Sequence, residues 1–199
     1  MGRPSLLLFD LGGVLVESSV FEQLTRLLPQ PASPMEIKER WLRSPSVRRF
    51  ESGEISSDAF AESFIAEWGL GCSHEDFLEA FASWPRGFFP GVKEAILDWR
   101  KSYKVACLSN SNPLHWKRFD NLDDIFDVAL FSHLLGAIKP DREIFMRALQ
   151  ECGVTPSEVY FFDDSPVNVR SAQSLGMTAF CVDGFESVRN VLRTEGLVP

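Results

Sequence analysis

Four short stretches carry side chains suited to chemistry, and most of them follow an apolar run. SLLLFDLGGVLVE, residues 5–17, runs apolar to the carboxylate Asp10, with Gly12 and Gly13 close behind. YKVACLSNSN ends in Ser109, Asn110, Ser111 and Asn112, hydroxyl and amide donors that hold an oxyanion without bringing charge. GAIKP sets Lys139 between an apolar lead-in and the rigid Pro140, an arrangement that aims a point charge inward. VYFFDDSPVN ends in Asp163 and Asp164, with Asn168 placed to return over the same helix start. Taken singly, three of these have plainer readings as a turn aspartate, capping residues or a solvated lysine. The acid pair is harder to dismiss, because adjacent carboxylates after a buried strand repel each other unless a cation lies nearby. Magnesium takes oxygen ligands, few of them from protein. Asp10 with Asp163 and Asp164 would make such a site, and Lys139 would offset the remaining charge.

These residues need a scaffold that brings four strand ends together. A short apolar run without alternation reads as a strand buried on both faces. From residue 90 onward helix and strand alternate: helices at 91–101, 114–119, 142–152 and 168–175, strands at 105–108, 127–132, 159–162 and 177–182. That order predicts an α/β fold, a doubly wound parallel sheet with right-handed crossovers. Ligands of such sheets sit beyond the carboxyl ends of the strands, where all four stretches lie. Residues 17–89 instead show helical spacing near 20–28, 35–42, 57–68 and from Ser73 on. They read as an all-helical insert with no strand of its own, in which 43–56 is a connector broken by Pro45 and Gly53. The expected division is a core of 1–16 and 90–199 and an inserted unit of 17–89. Trp84 and Phe88 are candidates to face a cleft between the two.

Composition excludes several partners. With 199 residues and a net charge of −8, the chain lacks the basic face that nucleic acid requires. No run reaches the roughly 18 apolar residues of a membrane span, and MGRPS shows no signal-peptide pattern. A cytoplasmic location is therefore expected. The four cysteines, Cys72, Cys107, Cys152 and Cys181, have no metal-like spacing and read as buried thiols.

The four stretches, in this order, resemble the motifs of the haloacid dehalogenase superfamily: Asp10 in FDLGGVLVE, Ser109 in LSNSN, Lys139 in IKPDREIF, and Asp163-Asp164 in FFDDSPVN. The insert is similar to the type 1 cap, and RFESGEIS looks like a cap segment of the sugar-phosphate phosphatases, near the α-glucose-1-phosphate phosphatase-like branch. The resemblance implies a magnesium-dependent phosphomonoester hydrolase, monomeric or homodimeric, acting on a small phosphorylated substrate. Asp10 would form an aspartyl-phosphate. Ser109 and Asn110 would hold phosphoryl oxygens, and Lys139 would stabilise charge and orient Asp10. The metal would take Asp10, the Gly12 carbonyl, and Asp164 ahead of Asp163. One departure matters: these phosphatases carry an acid two residues after the nucleophile, where this chain has Gly12. Either the leaving group is good by itself, as in a sugar 1-phosphate, or Glu17 or a cap residue supplies the proton. Arg48, Arg49, Trp84 and Arg86 are the cap residues expected at the cleft. The rival readings are a metal-independent haloacid dehalogenase and a catalytically weak binding protein.

Overall fold

The computed structural model describes residues 3–119 and 121–199, so Met1 and Gly2 of the MGRPS stretch lie outside the described residues. Leu6–Phe9 forms β1, with all four residues buried. Leu7 and Phe9 enter one apolar layer with Val105, Cys107 and Phe162, while Leu6 and Leu8 enter the other with Ala106, Leu108 and Phe161. Both faces are covered, which is why the run shows no alternation.

The remaining strands are β2 (Val16–Ser18), β3 (Pro85–Phe88), β4 (Lys104–Ser109), β5 (Val128–Phe131), β6 (Val159–Asp163) and β7 (Thr178–Cys181). The main sheet has the order β5-β4-β1-β6-β7, and every pair in it is parallel. The fold is the expected α/β sheet. β1 comes first in the chain but lies in the middle, with Phe9 in register with Cys107 on one side and Phe162 on the other. Asp10, Ser109 and Asp163 therefore leave the sheet along one edge.

Residues 17–89 are not purely helical. β2 and β3 pair antiparallel, Val16 with Phe88 and Glu17 with Gly87, next to a bulge at Ser18. Ser19 adds a main-chain and a hydroxyl hydrogen bond to the Trp84 carbonyl, both 2.9 Å. Strands this short, one of them containing Pro85 and Gly87, give no periodic signal, and their partners are far apart in sequence. The supposed connector holds another helix, Pro45–Glu51. Pro45 occupies the first helical turn, where its missing N–H costs nothing, and the Ser44 hydroxyl caps the Val47 N–H. A closing helix, Gly184–Thr194, buries Phe185, Val188 and Leu192 and was not anticipated. Cys107 and Cys152 are buried as expected, but Cys72 is half-buried and Cys181 exposed, because β7 is the edge strand.

The helices between β2 and β3 have an apolar cluster of their own, built from Leu24, Ile37, Val47, Phe50, Phe60, Phe64, Trp68, Phe77, Phe81 and Trp84. Trp84 is thus core, not cleft. Phe88 packs instead on Phe119 and Phe126 of the sheet side. Phe60 lies at the centre, stacked on Phe50 with ring centroids 4.2 Å apart. Among the described residues no helix is long and apolar enough to cross a membrane. Phe60→Ala is expected to cost about 3–5 kcal/mol, as cavity-forming aromatic truncations do. Urea denaturation reads it, and a loss below about 1 kcal/mol would mean that the cluster closes over the gap.

Candidate active site

Asp10 is placed by the sheet: its N–H donates to the Phe162 carbonyl of β6 at 2.8 Å. Lys139 meets it from the loop after β5, with Nζ 2.9 Å from Asp10 Oδ1, 2.7 Å from Asp163 Oδ2 and 2.8 Å from the Leu108 carbonyl. Three acceptors match the three N–H bonds of an ammonium. Burial works against this charge, but the Asp10 and Asp163 carboxylates outweigh it and hold Lys139 above its ordinary value. The lysine backbone is clamped as well. Its N–H donates to Asn110 Oδ1 at 2.9 Å, and Asn110 Nδ2 donates to its carbonyl at 3.0 Å. The Asn110 amide is thereby spent on positioning Lys139, whereas the Ser109 hydroxyl makes one long contact, 3.3 Å, to a neighbouring carbonyl.

The two acids at the end of β6 divide their work. Asp163 is fully buried, and its oxygens accept from Lys139, from the Ser165 N–H at 2.8 Å and from Asn168 Nδ2 at 2.9 and 3.1 Å. Asp164 points the other way, its Oδ2 2.8 Å from Lys38 Nζ. Gly13, at φ +75°, lies so close that a Cβ there would stand 3.3 Å from the same oxygen. Gly12 is different, since a Cβ there would meet nothing within 4 Å. No crowding accounts for the missing acid.

Asp10, Asp163 and Asp164 offer ligand atoms within 4.8 Å of one another. Burial raises the Asp10 carboxyl to about 7; Lys139 opposes that rise, and Asp163 and Asp164 add to it. Three acids crowded about one buried lysine suit a divalent cation, which would let all of them ionise. Asp10 and Asp164 are the candidate side-chain ligands, because Asp163 is already saturated. The Gly12 carbonyl belongs to the turn between them and Gly13.

The helical unit closes over this edge through polar contacts. Lys38 reaches Asp164, Arg48 pairs with Asp141, and His115 Nε2 lies 2.8 Å from the Phe81 carbonyl. Burial lowers His115 to about 4, so it is neutral and its Nε2–H donates. Of the residues expected at the cleft, Arg48 pairs with Asp141 of the core, and Arg49 faces Glu54. Arg86 bridges Glu17 and Glu22 on the surface beside β2. That pairing also removes Glu17 as a proton source for the site. Sequence reasoning missed Lys38 and Glu51. Lys38 sits on an ordinary charged helix face and gives no signal. Glu51 lies in RFESGEIS, a segment whose pattern marks no single residue of it.

A family model for haloacid dehalogenase-like hydrolases matches residues 4–176. A D-ribitol-5-phosphate phosphatase from Bacteroides thetaiotaomicron is 29% identical over 188 residues, 87% of this chain and 89% of the relative. A phosphorylated carbohydrates phosphatase from Thermotoga maritima is 29% identical over 177 residues, 85% of this chain and 81% of that protein. A HAD-family enzyme from B. thetaiotaomicron, solved with magnesium and inorganic phosphate, is similar with a TM-score of 0.72 at 26% identity, over 92% of this chain and 95% of its own.

Lys139→Met leaves two buried carboxylates without their cation, which is expected to cost about 3–5 kcal/mol in urea denaturation. A cost near zero would show that Asp10 and Asp163 are neutral in the folded protein.

Proposed function

The chain belongs to the haloacid dehalogenase-like hydrolases and is a phosphatase of that family, and from that premise we propose that it hydrolyses small phosphorylated carbohydrates with one magnesium ion, by way of a phosphoryl group carried on Asp10. The observation that carries this reading is Lys139, one buried ammonium joining Asp10 to Asp163 while Asp164 stays open to the site. Lys139 holds Asp10 by Oδ1, and the other carboxylate oxygen accepts no hydrogen bond among the described residues, leaving a lone pair for phosphorus. Ser109 would hold a phosphoryl oxygen, and Lys139 would meet the charge that develops in transfer. Magnesium would be held by Asp10, Asp164 and the Gly12 carbonyl, and would supply neutralisation of the charge on the transferring phosphoryl group. Residues 17–89 act as a cap that excludes water during the first transfer.

The two relatives named for phosphorylated carbohydrates support the substrate class. One of them is named for a 5-phosphate, an ester of an ordinary alcohol, so the class is not confined to sugar 1-phosphates. A metal-independent dehalogenase has no use for the three-carboxylate cluster, and a mere binding protein has none for so complete a buried network.

Three measurements test the proposal. Asp10→Asn is expected to reduce phosphate release by at least about 10³-fold, the scale of loss for a nucleophile. Chelation is expected to abolish turnover and magnesium to restore it; turnover indifferent to magnesium would return the dehalogenase reading. In a panel of glucose 1-phosphate, glucose 6-phosphate and D-ribitol 5-phosphate, the alcohol esters should fall within about 10-fold of the 1-phosphate. A 1-phosphate preference of about 10² or more would mean that no group protonates the leaving oxygen.

A further inference from the structure

Gly12 takes from the site the side chain that would protonate a leaving group, and the space over it is open. The turn that ends helix Pro45–Glu51 closes the site from the cap side. Arg48 seats it by pairing with Asp141, two residues beyond Lys139. Gly53, at φ +78°, seats it again, since a Cβ there would stand 2.5 Å from the His133 carbonyl oxygen. Between these anchors lies Glu51, only 8% exposed. Its carboxyl has no hydrogen-bond partner among the described residues, and its oxygens are not sealed off, since the buried side-chain polar atoms left without a partner there are Trp68 Nε1 and His133 Nδ1. The neighbouring arginines do not serve it, because Arg48 goes to Asp141 and Arg49 faces Glu54. The charged groups that act on it are Asp10 and Lys139, the reacting pair itself.

We propose that Glu51 is the acid that protonates the leaving oxygen, delivered by the cap in place of the acid missing at position 12. The proposal rests on the phosphatase reading above. Burial first, then the Asp10 carboxylate, raise the Glu51 carboxyl to about 8 against the pull of Lys139, so it carries its proton at neutral pH. As the Asp10 oxygen bonds to phosphorus, the bond from phosphorus to the leaving oxygen breaks and the Glu51 proton passes to that oxygen. The products are the free alcohol, the aspartyl-phosphate and the Glu51 carboxylate. When water then attacks the aspartyl-phosphate, one of its protons returns to Glu51, and Asp10, inorganic phosphate and the protonated acid are regenerated. An acyl phosphate needs no such proton.

The test is single-turnover release of the leaving group, from D-ribitol 5-phosphate and from acetyl phosphate, by magnesium-loaded wild type, Glu51→Gln and Gly12→Asp/Glu51→Gln. Glu51→Gln is expected to slow release from the alcohol ester by about 10²–10⁴-fold, with less than about a tenth of that factor on the acyl phosphate. Gly12→Asp in the same chain is expected to restore at least about 10-fold of the loss on the alcohol ester. Equal slowing on both substrates, or none on either while Asp10→Asn abolishes release, overturns the proposal and leaves the phosphatase reading standing. If wild type shows no release that depends on Asp10, both fall together. Thermal unfolding supplies a readout apart from activity. The Glu51 carboxyl is raised on folding, so its contribution is fully present below its ordinary value of 4.5 and is lost as pH rises through about 8. Glu51→Gln should therefore gain on wild type across that window. A variant that unfolds below wild type by the same margin at every pH marks Glu51 as a packing residue and overturns the proposal.

Discussion

The structure turns on one contact set: the Lys139 ammonium shared between Asp10 and Asp163. Taking an ammonium and a carboxylate out of water carries a penalty of several kcal/mol per ion, recovered only with good geometry and satisfied hydrogen bonds. Here every N–H bond of the lysine has an acceptor, and Asn110 locks its backbone from both sides. That precision is available because β1 lies between β4 and β6. Asp10 and Asp163 leave adjacent strands, and the Leu108 carbonyl comes from the strand on the other side.

Adjacent acids would repel if they faced the same way, and the chain separates their environments. Asp163 is drawn into the core by Lys139, Ser165 and Asn168, while Asp164 turns outward beside Gly13. One acid stabilises the lysine and the helix start; the other stays at the mouth of the site with one oxygen held by Lys38. Gly13 belongs to this division, because its positive φ and its closeness to Asp164 exclude a side chain.

The cap is held shut by contacts of a different kind. Its interior is a ring-stacked aromatic cluster, whereas its seat on the core mixes apolar and polar contacts: Leu114 packs on the cluster, His115 stacks on Phe81 with ring centroids 4.3 Å apart, and Lys38–Asp164 and Arg48–Asp141 are ion pairs, the latter with side chains 53% and 42% exposed. Exposed pairs of this sort contribute about 0–1 kcal/mol each.

Much of this was legible along the chain. Apolar runs buried on both faces announce parallel strands without any knowledge of partners, and an acid or a lysine immediately after such a run must sit at a strand end. Asp10, Asp163 and Asp164 are legible on that ground, with the turn at Gly12 and Gly13; Ser109 is legible as a strand-end hydroxyl donor and Lys139 as a loop lysine between an apolar lead-in and the rigid Pro140. Helix Pro45–Glu51 and strands β2 and β3 are not, because a proline in a first helical turn looks like a breaker and strands of three and four residues carry no period. Nor could local pattern tell that the Asn110 amide is occupied by Lys139, that Trp84 is cap interior, or that Lys38 reaches Asp164 at the sheet edge. Periodicity and residue type are properties of neighbours in sequence, and they determined the strand ends and their chemistry. Which side chain meets which across the gap between cap and core depends on contacts between residues tens to more than a hundred positions apart, and only the folded chain decides those.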